Sequence, residues 1–195
     1  MCIRDSVSTP REDIGASLLI AEELAPHLDV PVEVVPMEEL ESVLESSSKG
    51  TVVTSRYFLQ PLEKLAKKHR VRAIAVDLSD FQKELNIIKA LKPGSCVGIV
   101  SISPGLLRAA EIIINSMKGS DIILMTAISE NSSRLVALLK ASNQIICDGP
   151  SLSVVENILL KNRSQLIRVP QIICAKNYLS IETINQLKTE IGVIN

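Results

Sequence analysis

The chain has 195 residues, a net charge of −1 at pH 7 and a pI of about 6.2. This balance argues against a dedicated nucleic-acid surface, which needs a basic face, and an aromatic content of 2% is too low for a base-stacking platform or an aromatic sugar-binding cleft. A chain of this length buries about 70% of its unfolded surface, so two lobes can fold without a metal or a disulfide.

Short apolar runs that finish in Ser, Thr or Asp alternate with amphipathic segments from residue 30 almost to the end. Runs of this length between helices are typical of parallel strands covered on both faces. The predicted strands are 7–9, 30–35, 51–54, 71–76, 96–100, 122–126 and 144–147, followed by short apolar runs at 166–169 and 171–174. The predicted helices are 14–26, 37–45, 58–68, 104–118, 131–141, 149–161 and 180–192. One more helix is predicted to begin at a capping box formed by Ser79 and Gln82 and to end near Leu91.

The beginning of the chain does not fit the pattern. A buried strand is expected before the first helix, but the sequence there is Met-Cys-Ile-Arg-Asp-Ser, and Arg4 and Asp5 would be costly in a buried strand. These residues also resemble a translated sequencing-adapter junction. We therefore expect residues 1–6 to be a non-native leader on a truncated first strand; the alternative is a natural polar start to an edge strand.

The fold class predicted from this pattern is α/β, with two-lobed, periplasmic-binding-like or flavodoxin-like parallel sheets flanked by helices. Lys92-Pro93-Gly94 is the candidate boundary between the lobes. We expect lobe 1 to span residues 7–92 and lobe 2 to span 93–170, with residues 171–195 able to pack back on lobe 1. The polar strand ends of both lobes are expected to face a shared crevice, because ligands of such sheets bind at the carboxyl ends of strands.

Polar residues at these strand ends are the candidate ligand-binding residues. Ser101 and Ser103 precede a helix whose N-terminus suits a carboxylate or phosphate. Arg56 can clamp an anion with two parallel hydrogen bonds, and Asp148 can accept from a ligand hydroxyl or amine. Each also has a purely structural alternative as a helix cap, a turn residue or a surface cation. The predicted ligand-binding set is Thr9, Asp13, Ser55, Arg56, Ser101, Ser103, Thr126 and Asp148.

Signatures of catalysis, metal binding and cofactor binding are missing from the sequence. It has no G-x-x-x-x-G-K-[ST] or G-x-G-x-x-G loop, no clustered metal ligands and no evident nucleophile–base pair. We therefore predict no catalytic residue, no metal and no cofactor.

The four cysteines are far apart, without a C-x-x-C pair, and Cys96, Cys147 and Cys174 lie in or beside apolar runs, where a reduced cysteine packs as a small hydrophobe. This favours the cytoplasm. No apolar run is long enough for a membrane span, and no leader is evident.

Several stretches, taken in order and spacing, resemble the C-terminal domain of cyanobacterial GntR-family transcriptional regulators. The resemblance extends from about residue 9 to 192 and rests on Val30-Pro31-Val32, Val35-Pro36-Met37-Glu38-Glu39-Leu40, Gly50-Thr51-Val52-Val53-Thr54-Ser55-Arg56-Tyr57-Phe58, Gly98-Ile99-Val100-Ser101-Ile102-Ser103, Met125-Thr126-Ala127, Pro170-Gln171-Ile172-Ile173-Cys174 and Asn177-Tyr178. It implies a two-lobed, periplasmic-binding-like sensor. Regulators of this family carry an N-terminal winged helix that this sequence lacks, so DNA is expected as a partner only through that missing domain.

The function that the resemblance implies is small-molecule effector sensing and oligomerisation, in a homodimeric cytoplasmic regulator without a membrane partner. The helix N-termini and Arg56 favour a small effector of negative charge. Two alternatives stay open at this point. One is a solute-binding protein of an uptake system, which would need a leader or a lipid-attachment signal; the other, less favoured, is a small-molecule enzyme.

Overall fold

The structure is a computed structural model that describes residues 5–28, 32–46, 50–78 and 81–191. Parallel strands and helices alternate along these residues, which confirms the predicted α/β class. The chain divides into two compact units. The first unit takes residues up to 80 and those from 177 onward, and the second unit takes residues 81–176.

Eight strands and eight helices lie in the described ranges. In chain order they are β1 (Asp5–Val7), α1 (Ile14–Leu24), β2 (Val32–Val34), α2 (Met37–Ser46), β3 (Thr51–Ser55), α3 (Leu59–His69), β4 (Arg72–Val76), α4 (Gln82–Lys89), β5 (Cys96–Ser101), α5 (Pro104–Lys118), β6 (Ile123–Ile128), α6 (Ser132–Ala141), β7 (Gln144–Asp148), α7 (Gly149–Asn162), β8 (Gln171–Ala175) and α8 (Ile181–Ile191). None of these helices combines the length and the hydropathy that a membrane span requires.

Each unit contains a four-stranded parallel sheet with the same strand order. The first sheet is ordered β2-β1-β3-β4 and the second β6-β5-β7-β8, and every neighbouring pair is parallel. In each sheet the second strand lies on one side of the first strand and the third lies on the other. The pairs β1/β3 and β5/β7 are therefore topological switch points, where the following segments leave toward opposite faces and a ligand crevice can form.

Helices cover both faces of the first sheet, and the side chains that alternate along β3 pack against one face and then the other. Val53 packs with Val7 of β1, with Ile20 of α1 and with α8. Its neighbour Val52 packs with Leu62 of α3 and with α2 in a second cluster. The alternation continues to the end of the strand, so Thr54 shares the α2/α3 face and Ser55 shares the α1 face.

The segment after the second unit returns to the first unit. The backbone N–H groups of Tyr178 and Leu179 donate to Glu23 Oε2 over 2.6 and 2.9 Å, and Ile184 and Leu187 of α8 join the core of the first sheet. The first unit is therefore completed by residues that follow the second unit in the chain.

The second sheet is covered in the same way as the first. Val100 and Cys147 face α6 and α7 in a cluster that includes Leu138. Ile99 and Ile146 face α4 and α5 in a separate cluster. Each unit thus has its own pair of hydrophobic cores.

The first strand differs from the prediction, because it spans Asp5–Val7 rather than 7–9. Asp5 is only 4% exposed. Its Oδ1 accepts a hydrogen bond from the Thr51 N–H over 3.0 Å, which offsets much of the cost of burying a carboxylate. The predicted leader at 1–6 therefore overlaps this strand.

Other element ends lie close to their predicted positions. β3, β5 and β7 each continue one residue further than predicted and end at Ser55, Ser101 and Asp148. β6 continues two residues past Thr126, so this threonine does not stand at a strand end. The apolar run at 166–169 forms no strand, and only the run after Pro170 pairs with the sheet.

Some predictions fall outside the described residues. These are the first four residues of the predicted leader, residues 30 and 31 of the predicted second strand, Ser79 of the predicted capping box and the predicted helix end at Gly192. The lobe boundaries at 92/93 and 170/171 stay a prediction.

Candidate functional site

The polar residues after β1 form a buried, hydrogen-bonded group at the start of α1. Thr9 Oγ1 donates to the Asp13 carbonyl over 2.8 Å and lies 2.8 Å from Ser17 Oγ. The Thr9 carbonyl accepts from the Met37 N–H at the start of α2 over 3.0 Å. The structure thus brings the predicted residues Thr9 and Asp13 together, and Thr9 also ties the starts of two helices to the end of β1.

Three buried hydroxyls lie at the carboxyl ends of β1 and β3. Ser8 Oγ, Thr54 Oγ1 and Ser55 Oγ have no hydrogen-bond partner among the described residues, and these residues are 0, 0 and 4% exposed. Val7 and Val53 are register partners, so Ser8 lies beside Thr54. A buried hydroxyl without a partner costs about 1–3 kcal/mol. This switch point therefore holds hydrogen-bonding capacity that the described chain does not use.

Arg56, which follows β3, pairs with Asp77, which follows β4. Ser55 and Val76 are register partners, which places the next two residues side by side. Arg56 Nε donates to Asp77 Oδ1 and Oδ2 over 2.7 and 2.9 Å, and Nη2 donates to Oδ2 over 2.7 Å. These hydrogen bonds lower the pKa of the Asp77 carboxyl and raise the pKa of Arg56. The predicted anion clamp thus already holds a carboxylate of the chain itself.

Carboxylates outnumber guanidinium groups at this end of the first sheet. Glu38 Oε2 accepts from the Arg11 N–H over 3.0 Å, and Glu39 pairs with the Arg11 guanidinium. In the described residues that follow the four strands (8–13, 35–39, 56–58 and 77–78), the carboxylates are Glu12, Asp13, Glu38, Glu39 and Asp77, and the guanidinium groups are those of Arg11 and Arg56. The surroundings of the first switch point are therefore net acidic.

Asp148 closes the switch point of the second unit. Its Oδ2 accepts from the Ile102 N–H over 2.8 Å, and its Oδ1 accepts from the Ser151 N–H over 2.9 Å. The first bond ties the segment after β5 to the end of β7, and the second caps α7. Both oxygens of this buried carboxylate are therefore engaged inside the unit.

The two predicted serines beside Asp148 also have structural partners. Ser101 Oγ accepts from the Ser103 N–H over 2.9 Å. Ser103 Oγ accepts from the Leu106 N–H over 3.0 Å, which makes Ser103 the N-cap of α5. The structure thus brings Ser101, Ser103 and Asp148 together and engages each of them in hydrogen bonds that shape the loop.

Thr126 lies apart from this group, on the edge strand β6. Its Oγ1 donates to Glu111 Oε1 of α5 over 2.6 Å, and its carbonyl accepts from Arg134 Nε of α6 over 2.5 Å. These contacts attach two helices to the edge of the sheet.

Reasoning from the sequence did not select Ser8, Ser17 or Thr54. A signal for Thr54 was present, since Val53-Thr54-Ser55 ends an apolar run with two consecutive small polar residues. Ser8 and Thr9 are also consecutive small polar residues, but only Val7 precedes them after Asp5-Ser6, so no apolar run marked this strand end. In a strand buried on both faces, two such residues place one hydroxyl on each face. Ser17 had no comparable signal, because its contact with Thr9 depends on how α1 packs.

The described residues contain no group of three or more His, Cys, Asp or Glu side chains positioned to hold a metal ion. Cys147 lies opposite Cys174 in the parallel pair β7/β8, and both are free thiols. Burial, with a smaller effect of Cys174, raises the pKa of the Cys147 thiol to about 12. This thiol is therefore protonated and a poor nucleophile near neutral pH.

Comparison with known families gives one match, to the family described as cyanobacterial PlmA-type GntR regulator, C-terminal domain, over residues 83–176. The matched region runs from α4 to just past β8 and contains the whole second sheet. No curated protein and no solved structure matches the chain. The match confirms the predicted resemblance over about half of the chain. Residues 83–176 of the chain are therefore similar to the C-terminal domain of cyanobacterial PlmA-type GntR regulators.

Proposed function

We propose that this chain is the small-molecule effector-sensing domain of a GntR-like, DNA-binding transcriptional regulator. The family match carries the proposal, because the matched family is described as the C-terminal domain of a GntR regulator. The parallel sheets support it, since sheets of this type bind small ligands at the carboxyl ends of their strands. In this proposal the chain acts in the cytoplasm and forms a homodimer.

DNA contact belongs to the winged-helix domain of the regulator, so the role of this chain is to change the DNA affinity of that domain. An effector can do so only to the extent that it binds one conformation more tightly than another. The candidate ligand residues are Thr9, Asp13, Ser55 and Arg56 in the first unit and Ser101, Ser103, Thr126 and Asp148 in the second.

Differential scanning fluorimetry with a panel of cytoplasmic metabolites tests the sensing function. A compound that binds only the folded chain raises its unfolding temperature, and the rise grows with the logarithm of concentration above Kd. The same compound is expected to change operator binding by the complete regulator in a gel-shift titration. If no metabolite changes either quantity, the proposal is wrong.

Arg56 offers a matched pair of variants for the same assay. Arg56→Ala removes the guanidinium, whereas Asp77→Asn keeps it and removes the charge of its partner. If Arg56 contacts the effector, Arg56→Ala weakens binding by about tenfold and Asp77→Asn does not. Equal weakening by both variants would assign Arg56 to the ion pair alone.

Homodimer formation is tested separately by sedimentation equilibrium of the chain over a range of concentrations. We expect a mass of two chains, as the proposed homodimer requires. A mass of one chain at every concentration would remove oligomerisation from the proposal and leave the sensing function to be decided by the ligand assays.

A further inference from the structure

The two units place different residues at equivalent positions of their switch points. Val53 lies two residues before the end of β3, and Ile146 lies two residues before the end of β7. Their register partners on the neighbouring strands are Val7 of β1 and Ile99 of β5. Counted from these pairs, Ser55 corresponds to Asp148, Pro10 to Ile102, Ser8 to Val100 and Thr54 to Cys147.

In the second unit, the residues at these four positions are all engaged by contacts inside the unit. The Asp148 carboxylate accepts from the Ile102 N–H, which bridges the segments on the two sides of the switch point. Val100 and Cys147 are each 1% exposed and pack in the apolar cluster beneath α6 and α7. At these four positions the second switch point is thus closed by its own residues; the buried Ser151 Oγ, which has no partner among the described residues, lies outside them.

In the first unit the same closure cannot form. Pro10 has no N–H to donate, and Ser55 has no carboxylate to accept one. Ser8 and Thr54 place hydroxyls where the second unit places apolar side chains, and all three hydroxyls lack a partner within the described ranges. Buried polar groups in folded proteins are almost always hydrogen-bonded. These three hydroxyls therefore call for a partner from outside the described part of the chain.

The charge around the first switch point restricts what that partner can be. The segments that follow its strands carry five carboxylates and two arginines in their described residues, and Arg56 and Arg11 are paired with Asp77 and Glu39. An anionic ligand would meet net repulsion at short range. An uncharged ligand would not, and its hydroxyl groups can both donate to and accept from serine and threonine.

We propose that the switch point between β1 and β3 binds a small, uncharged, polyhydroxylated ligand that lies across the carboxyl edge of the sheet, where it reaches Ser8 and Thr54 on one face and Ser55 on the other. This inference rests on the proposed sensing function, assigns it to one unit, and replaces the negatively charged effector expected from the sequence with a neutral one. The hydroxyls are covered by protein atoms, so entry of the ligand separates the segments after β1 and β3. Binding is thereby coupled to a displacement at the starts of α1 and α3.

Heteronuclear NMR of the ¹⁵N-labelled full chain tests the site and the ligand class together. The probes are three polyols (glycerol, xylitol and myo-inositol), two anions (inorganic phosphate and citrate) and one cation (ethanolamine). We expect at least one polyol to produce saturable shifts in the amides of residues 8–17 and 54–57, and neither the anions nor the cation to do so.

Two variants assign the contacts, and a third serves as a matched control. Thr54→Val and Ser55→Ala are expected to weaken polyol binding by about tenfold each, the effect of losing a buried hydrogen bond. Ser151→Ala removes a hydroxyl of the second unit that is also buried and without a partner in the described part of the chain, and it should leave Kd within about twofold. Unfolding temperatures check that the variants fold.

The outcomes separate this inference from the sensing function. Shifts caused by an anion or a cation in residues 8–17 and 54–57 would overturn the ligand class. Polyol shifts confined to residues 100–106 and 147–152 would overturn the location. No response to any polyol would overturn the inference altogether. In each case the metabolite panel and the operator titration still decide whether the chain is a sensor.

Discussion

The role of each polar residue depends on its hydrogen-bond partners rather than on its side-chain type. Thr9 and Thr54 are both fully buried threonines at the carboxyl end of the first sheet. The Thr9 hydroxyl is bonded to the Asp13 carbonyl, whereas the Thr54 hydroxyl has no partner in the ranges described. The same substitution should therefore have opposite effects at the two positions.

Thr54→Val is expected to stabilise the chain by about 1 kcal/mol, because it replaces an unpaired buried hydroxyl with a methyl group of similar size. Thr9→Val is the control and should destabilise the chain by about 1–3 kcal/mol, because it leaves the Asp13 carbonyl without its donor. Urea unfolding of both variants gives the two values. A loss of stability in Thr54→Val would show that its hydroxyl has a partner after all.

Asp148→Ala is expected to destabilise the chain by about 2–4 kcal/mol, because it removes the cap of α7 and leaves the Ile102 N–H unpaired. Asn131→Ala removes the cap of α6 and an exposed hydrogen bond from Ser133 Oγ, and should cost about 1 kcal/mol. Denaturant unfolding compares the two. Similar losses would mean that the bond from Ile102 contributes little.

The ion pair between Arg56 and Asp77 has a pH signature. The pKa of the Asp77 carboxyl is lowered in the folded chain, so the pair contributes stability above the unfolded pKa of this carboxyl and loses it as pH falls through the folded pKa. The contribution is small, because both side chains are largely exposed. An NMR titration should give Asp77 a higher pKa in Arg56→Ala than in the unmodified chain. An unchanged value would contradict the pairing.

At the scale of elements, local signals placed most helices, and contacts between distant residues decided the rest. Ser103-Pro104 and Asp148-Gly149-Pro150 are caps followed by proline, and both helices begin where these signals predict. The first strand begins two residues earlier than predicted. The sequence could not show this, because the group that offsets the burial of the Asp5 carboxylate is the N–H of Thr51, far along the chain.

The candidate site shows the same limit. The strand ends that carry Ser55, Arg56, Ser101 and Asp148 could be read from the apolar runs. Their hydrogen-bond partners could not be predicted, because Asp77 becomes a neighbour of Arg56 only through the register of β3 and β4. Likewise, the Ile102 N–H becomes a neighbour of Asp148 only once β5 pairs with β7.

Helix α6 packs so closely against β5 at Gly98 that no side chain fits between them. A Cβ on Gly98 of β5 would lie 2.7 Å from Leu138 Cγ of α6. Gly98→Ala should therefore destabilise the chain by about 1–3 kcal/mol. Leu138→Ala makes room for the added methyl group. The double variant should therefore lose less stability than the sum of the losses in the two single variants. Additive losses in thermal unfolding would argue against this contact.

At the scale of the whole molecule, the second unit carries its own complete pair of cores, whereas the first unit depends on α8. We expect residues 81–176 expressed alone to give a dispersed NMR spectrum and a cooperative unfolding transition. Residues 1–80 expressed alone should not fold stably, because Leu179, Ile184 and Leu187 are missing from their core. A folded 1–80 fragment would contradict the importance of the returning segment.

The return of α8 to the first unit also fixes an order of events on the ribosome. The second unit leaves the exit tunnel before residues 177–191 do, so its two cores can close first. The first unit has to wait, with the apolar faces of its strands uncovered, until the end of the chain leaves the exit tunnel. A released chain that ends at residue 176 would thus carry one finished half and one that still attracts chaperones.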